Sequence, residues 1–579
     1  MDFLSPPELS LASTLIYPLA IYVLLALGLN IVVGKSGLLD LGYVAFFAVG
    51  AYSYSLLSIH TALPALLLVL LTMLICLLFG LIFAIPSFRM NGDYLAIVTL
   101  ALGEIVGKTL NNLSVFGGTE GLAGIRGFTS IGNFTFDIMH PENYFYLTFT
   151  IIIVVVLYLK KLEKGRVGRA WESLREDEDL SEIYGLPVVK FKIYAFVLSG
   201  IIGGIAGAIF ASKAMYISPD TFNYAISVIV LSSILLGGVG NIYGVILGAS
   251  IIAYLPERIR FISDARQLVF GIILLLVINL KPNGLLPRKT LIYKENSKTD
   301  PKGRITKLQP DSATSAIEIT KKQEKREIMI AIKDLTFGFN QNNLLEALTL
   351  EIKSHEVTAL IGPNGAGKTT IFNILTKYYN DYQGKIIVAG IDLATVKKRE
   401  IVKLGIGRTF QQSRVMEDMD VSSNLAIASD YKFFPHSLTS FWYESKVKRK
   451  IQSNELHAYG ERYFPQINLS KKMKDLSFCD RRLIEILRAI CSGARILLLD
   501  EPAAGFASSD REALLLTLAK LKADGYTIVI VEHDLNFIKE ICDRIVVLSQ
   551  GNIIYDGLAK GIEKNHNVKI AYLGEVENA

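Results

Sequence analysis

Gly362-Pro363-Asn364-Gly365-Ala366-Gly367-Lys368-Thr369-Thr370 follows the apolar run Glu356–Ile361 and leads into a helical apolar period that starts at Ile371. Strand, glycine-rich loop and helix in that order are what the pattern G-x-x-x-x-G-K-[ST] needs to hold phosphate. The glycines let consecutive backbone N–H groups curl around an anion, and the helix N-terminus adds its positive end. Gly362, Pro363, Asn364, Gly365, Ala366, Gly367 and Thr370 are thus expected around the phosphates of a nucleotide. Lys368 should reach the β- and γ-phosphates, and Thr369 should ligate Mg²⁺. A second stretch, Arg495-Ile496-Leu497-Leu498-Leu499-Asp500-Glu501-Pro502, is the continuous apolar run of a buried parallel strand. It delivers Asp500 to the metal and Glu501 to the strand tip, where a carboxylate can polarise an attacking water. A third strand, Thr527–Val531, ends in Glu532-His533, which places His533 to stabilise charge developing on the γ-phosphate. The back half therefore reads as an α/β P-loop domain with a nucleotide and Mg²⁺ as its ligands.

Outward from this core the chain changes character. Its 579 residues are 51% hydrophobic and 20% charged, with a net charge of +6, and the mean hydropathy is +0.39. Up to Pro287, 35 of 287 residues are charged, about 12%; beyond it the figure is 79 of 292, about 27%. A soluble domain runs near 25% charged, so the back half suits water and the front half lipid. This excludes a disordered chain, a collagen-like chain and a lone soluble enzyme. The front half sums to −1 and the back half to +7. That excess, without basic runs interleaved with aromatics, gives no case for nucleic acid. Cys76, Cys479, Cys491 and Cys542 have neither metal nor disulfide spacing. The last three read as reduced thiols of a cytoplasmic domain.

Stretches long enough to cross about 30 Å of hydrocarbon run over Leu11–Val33, Leu39–Ile59, Leu63–Ile85, Tyr94–Leu113, Tyr144–Leu159, Phe191–Ala211, Ala225–Leu236, Gly244–Leu255 and Leu268–Leu280. They predict a polytopic α-helical membrane domain with eight or nine spans. The glycine-rich Leu235–Gly248 reads equally as one long span or a broken pair. Met1–Pro7 lacks a positive n-region and no A-x-A site follows the first run, so that run is expected to stay in the membrane. Gly200-x-x-Gly203 and Gly203-x-x-x-Gly207 are small-residue seams for helix packing. Lys160–Lys192 carries eight basic residues and Ser114–Asn143 only Arg126, which puts the first inside the cell and the second outside. Glu104 is the most deeply placed ionisable residue, either on a translocation path or in a polar contact between helices.

Over about Ile328–Gly574 the motifs resemble the ABC transporter ATPases. Arg408-Thr409-Phe410-Gln411 matches the family's Q-loop, which implies that Gln411 ligates Mg²⁺ and senses the membrane domain. Phe339 sits where the family places an aromatic against adenine, although Phe337 is close by and either ring could be core. Pro502-Ala503-Ala504-Gly505 and Ala571-Tyr572-Leu573-Gly574 are similar to the G-type ATPase of branched-chain amino-acid uptake systems. The front half resembles the M-type permease of the same systems. The matching stretches include Ala26–Asn30, Gly37–Gly42, Gly92–Leu100, Gly117–Leu122, Gly168-Arg169, Arg175–Glu178, Leu236–Gly240 and Pro282–Leu285. The chain thus reads as a fusion with a permease domain over 1–287, a polar linker over 288–327 and an ABC ATP-binding domain over 328–579.

One departure stands out. In the family each ATP lies between one subunit's phosphate loop and the other's signature, usually Leu-Ser-x-Gly-Gln at a helix N-terminus. Here the signature is Leu476-Ser477-Phe478-Cys479-Asp480. Ser477 keeps its hydroxyl for the γ-phosphate, but Cys479 adds bulk where a glycine should approach. Asp480 brings a carboxylate toward a polyanion, either facing the nucleotide or turned outward. A heterodimeric ATPase pair is the resulting expectation. Coupling is expected from Lys164–Glu182, with Gly168-Arg169 and Arg175-Glu176-Asp177 docking near Gln411.

The resemblance implies an ATP-driven importer of branched-chain or related amino acids in a bacterial inner membrane, its ATPase domain cytoplasmic. Its partners would be membrane lipid, a periplasmic solute-binding protein, a second permease and a second ATPase. Import of urea or short amides is the nearest alternative, and a channel or sensor that does not pump is another.

Overall fold

The computed structural model describes residues 15–90, 92–128, 136, 141–258, 271, 272, 275, 279–288, 327–339, 342–433, 446–559, 562 and 568. The chain divides into two compact units. One holds most of the chain up to residue 289, and the other holds Glu182–Leu186 together with most of the chain beyond residue 289. Most of the linker stretch, most of the apolar run Leu268–Leu280 and all of Ala571–Gly574 lie outside the described residues.

The first unit is helical: α1 (Ile21–Leu29), continued by wider turns at Leu15–Ala20 and Asn30–Lys35, then α2 (Val44–His60), α3 (Ala65–Ala84), α4 (Asp93–Asn112), α5 (Pro141–Glu163), α6 (Arg166–Glu176), α7 (Glu178–Ile183), α8 (Val188–Ala214), α9 (Tyr224–Gly237) and α10 (Ile242–Arg258). A short antiparallel pair, β1 (Leu122–Ala123) and β2 (Tyr216–Ile217), ties the chain after α4 to the chain after α8. Among the described residues five helical segments are long and apolar enough to cross a membrane, and α2 and Ile242–Tyr254 are shorter apolar helices. Helix α4 forms where a span is expected but falls outside that set, because Asp93, Glu104 and Lys108 interrupt its apolar surface. On α3, Leu66, Leu70, Leu74, Leu78 and Ile82 are exposed. A row of bare aliphatic side chains would be a liability in water and is satisfied in hydrocarbon.

Inside, glycines set the helix spacing. A Cβ on Gly50 of α2 would lie 2.4 Å from backbone atoms of Gly204 on α8, and one on Gly207 would lie 2.3 Å from Phe47 O. The two backbones meet directly, as the small-residue seams predict. Leu235–Gly248 resolves as a broken pair. The chain leaves α9 at Gly238 (φ 122°), and Asn241 Oδ1 accepts from Tyr243 N at 3.0 Å to start α10.

The second unit has two sheets. One is antiparallel and is built from β3 (Ile328–Phe339), β4 (Asn342–Lys353), β6 (Gln383–Val388) and β7 (Ile391–Asp392), in the order β4-β3-β6-β7. The other comprises β5 (Val357–Ile361), β8 (Ile406–Arg408), β9 (Ile496–Asp500), β10 (Thr527–Val531), β11 (Arg544–Ser549) and β12 (Asn552–Leu558). Its order is β12-β11-β5-β10-β9-β8. Only β12 runs antiparallel, and β5, β9 and β10 are buried along their whole length. That burial on both faces explains their unbroken apolar runs. Because these three strands are parallel, their C-terminal ends bring Gly362, Asp500-Glu501 and His533 to one edge, where α/β sheets bind ligands. Helix α11 (Lys368–Leu375) leaves that edge, while α12 (Val421–Asp430), α13 (Lys446–Tyr463) and α14 (Phe478–Cys491) form a helical lobe.

Candidate nucleotide site

The phosphate loop is closed by its own lysine. Lys368 Nζ donates to Gly362 O at 2.7 Å and to Pro363 O at 2.9 Å. Burial lowers the pKa of this ammonium, while the Glu501 and Asp500 carboxylates act to raise it. Gly367 sits at φ 97°, and a Cβ there would come within 2.5 Å of Leu345 on β4. The loop therefore packs tightly on the antiparallel sheet at a backbone angle only glycine adopts without strain. Thr369 and Thr370 lie in the first turn of α11.

Asp500 ends β9 almost wholly buried, and neither of its carboxylate oxygens has a hydrogen-bond partner among the described residues. Its nearest counter-charge is Arg408 Nη2 at 3.8 Å. Burial raises its pKa, and Arg408 opposes that shift. A buried carboxylate with two open oxygens beside a phosphate loop has the chemistry of a hard-cation ligand. The residues present therefore fit a divalent metal.

Glu501 comes next at φ 48°, a left-handed angle that is uncommon outside glycine. Its N–H is fixed by Val531 O at 2.8 Å. That turn throws its side chain forward. Gln411 Nε2 donates to Glu501 Oε1 at 3.3 Å, and His533 Nε2 lies 3.2 Å from the same oxygen. Three residues from three separate segments thus meet around one carboxylate. Phe339 is 51% exposed and Phe337 only 6%, so Phe337 is the core ring and Phe339 the one free to meet a base. Phe337 stacks on Tyr379 at 5.1 Å, and Phe339 meets both rings edge-on.

Ser477 does not join this group. Its Oγ accepts from Asp480 N at 3.1 Å and caps α14. Asp480 lies in the first turn, where the helix dipole favours a carboxylate. Partial burial pushes the Cys479 thiol up to about 11, with a further rise from the neighbouring Asp510 carboxylate.

Several positioning groups were not legible as such in the sequence. Glu532 Oε1 accepts from Ala503 N at 2.9 Å and Oε2 from His533 N at 3.1 Å, so one buried carboxylate fixes the turn after Glu501 and the histidine together. Its position beside His533 was the available signal. Arg482 and Glu485 of α14 hold the loop that carries Gln411. Arg482 donates to Phe410 O and Gln411 O, and Glu485 Oε1 accepts from Arg414 N at 2.5 Å. Arg488 Nε donates to Tyr184 OH at 3.0 Å within the same unit. Arg175 Nη1 donates to Gly34 O at 2.7 Å inside the first unit, and the segment that groups with the second unit is Glu182–Leu186, just beyond the expected docking residues.

Two family models match the chain. The branched-chain amino acid transport system permease component covers residues 11–278, and the ABC transporter model covers residues 345–504. The high-affinity branched-chain amino acid transport system permease protein LivM of Salmonella typhimurium is 36% identical over 288 residues, which is 46% of this chain and 68% of that protein. The ATP-binding protein BraF of Pseudomonas aeruginosa, from a high-affinity branched-chain amino acid transport system, is 32% identical over 252 residues, covering 43% of this chain and 98% of BraF. LivG of Salmonella typhimurium is 34% identical over 251 residues, with 43% and 98% covered.

Proposed function

The chain belongs to the ABC transporters of branched-chain amino-acid uptake, permease and ATP-binding subunit joined in one polypeptide, and from that premise we propose that it uses ATP hydrolysis to import branched-chain or related amino acids across a bacterial inner membrane. The observation that carries the chemistry is the convergence of Gln411 and His533 on Glu501, at 3.3 and 3.2 Å.

ATP places its phosphates on Gly362–Thr370, and Lys368 exchanges its loop carbonyls for the β- and γ-phosphate oxygens. Thr369, Asp500 and Gln411 would hold Mg²⁺, which when bound neutralises charge on those oxygens. Glu501 orients the attacking water and accepts its proton as the water oxygen bonds to the γ-phosphorus and the bond to the β-phosphate oxygen breaks. His533 supports the charge that gathers on the γ-phosphate. Phe339 stacks on the adenine. Closure of the ATPase pair would switch the membrane helices between inward and outward states.

The assembly would include a solute-binding protein, a second permease and a second, different ATPase. The pairing rests on Cys479 and Asp480. A site made by a partner's phosphate loop and this Ser477 carries excess bulk and a like charge. A site made by this Lys368, Glu501 and His533 with a regular partner signature carries neither. In the reconstituted complex, Glu501→Gln should abolish most ATP turnover, and the matching change in the partner should cost much less. Equal losses would overturn the asymmetry. The substrate class is tested by loading the binding protein with leucine or with urea: leucine should stimulate ATP hydrolysis and urea should not. Stimulation by urea alone would contradict it, and no observation on the molecule favours that reading or a channel.

A further inference from the structure

Resting on the reading as an amino-acid importer, we propose that a cavity in the membrane half is the transit site for the zwitterion of an aliphatic α-amino acid, with Glu104 and Asp220 meeting the ammonium and Lys108 the carboxylate. The cavity measures about 300 Å³ and is lined by these three residues with Val44, Gly107 and Phe222 among its walls. That volume is at the small end of ligand sites, suited to a single small solute.

Glu104 and Lys108 stand one helical turn apart on α4, so their Cβ atoms are about 5–6 Å apart on one face. Both are exposed on a helix in a unit otherwise built for lipid. Charged side chains facing hydrocarbon are costly, and where they occur they line a solute or water path. Among the described residues no ion pair or hydrogen bond occupies the side chains of Glu104, Lys108 or Asp220. Opposite charges are thus held open across a space rather than satisfied against each other. A zwitterion has the matching pair of charges, and Val44 and Phe222 offer its side chain apolar walls.

The surrounding frame is rigid. Gly42 N donates to Asp40 Oδ1 at 3.0 Å, Leu41 N to Thr99 Oγ1 at 3.1 Å and Val44 N to Ser227 Oγ at 3.0 Å. These bonds pin the loop before α2 to α4 and α9. The Phe222 ring packs on Phe47 at 5.0 Å and on Tyr52 at 5.7 Å. Gly107 differs from the packing glycines: a Cβ there would meet nothing within 4 Å. Its missing side chain leaves room in the cavity without serving helix contact.

The test reconstitutes the full chain with its partner subunits in proteoliposomes, with ATP inside and the binding protein loaded with radiolabelled leucine or valine. Glu104→Gln and Lys108→Met should each lower leucine uptake at least tenfold, and Glu104→Asp and Lys108→Arg should keep a third or more. Gly107→Val adds bulk to open space, so it should assemble normally and lower the leucine-to-valine uptake ratio at least threefold, which a merely structural role would not do. Uptake by all variants within twofold of the parent, at an unchanged ratio, would overturn the site and leave the importer reading intact. Parent vesicles that hydrolyse ATP but accumulate neither amino acid would overturn the importer reading, and the ligand with it.

Discussion

At the residue scale the nucleotide site is a set of short-range necessities. Glu501 accepts a strained φ of 48°, a cost on the order of 1–3 kcal/mol, and in return its carboxylate meets Gln411 and His533. Asp500 is left with two carboxylate oxygens that no group among the described residues bonds. The signature departs from its family in the same local terms. The Cys479 thiol, pushed up to about 11 by partial burial and by Asp510, stays protonated at neutral pH. Since the thiolate is the nucleophile, iodoacetamide should modify Cys479 at pH 8 on the order of 100-fold more slowly than a free cysteine of pKa near 8.5. The rate should climb steadily toward pH 11. Mass spectrometry of the purified chain reads this directly, and fast modification at pH 8 would contradict a half-buried thiol held protonated beside Asp510. The other cysteines are buried and supply little background.

At the scale of elements, what could be read depended on range. The phosphate loop, β9 and β10 were legible because each is a continuous local pattern whose neighbours are dictated by a parallel sheet. Eight of the ten helices of the membrane half within the described residues follow apolar runs of the sequence. The break at Gly238–Asn241 needed tertiary contacts to decide between one span and two, because the glycines that permit a break also permit close packing. Phe337 and Phe339 alternate along one strand, and only the structure tells which one the sheet covers. The role of α14 was invisible for a related reason. Arg482, Glu485 and Arg488 look like surface charges in sequence, yet all three are buried and hold the backbone of Phe410, Gln411 and Arg414. The signature helix and the Q-loop therefore move together. Glu485→Gln leaves Arg482 and Arg488 short of a buried counter-charge and should destabilise the ATPase unit by about 3 kcal/mol. Chemical denaturation would show this as a lower midpoint. ATP turnover should fall as well, because the Gln411 backbone loses its clamp. A variant with unchanged midpoint and turnover would show that the clamp does not hold the Q-loop.

At the scale of the whole molecule, one chain carries both a membrane half spaced by glycines and an ATPase half ordered by a parallel sheet. The composition shift near residue 288 reflects these two solvents, and the small positive charge of the back half needs no nucleic-acid partner. Joining the two functions in one polypeptide fixes their stoichiometry at one to one. The remaining permease and ATPase positions are then left for other subunits. The central claim is that ATP hydrolysis at Glu501 drives accumulation of a branched-chain amino acid. It is tested most directly by leucine uptake against a gradient into proteoliposomes that contain the complete complex and internal ATP, for the parent and for Glu501→Gln. The account predicts uphill accumulation by the parent and a loss of about 10²–10⁴-fold in the variant. Leucine that only equilibrates across the membrane in the parent, or accumulates equally with Glu501→Gln, would contradict it.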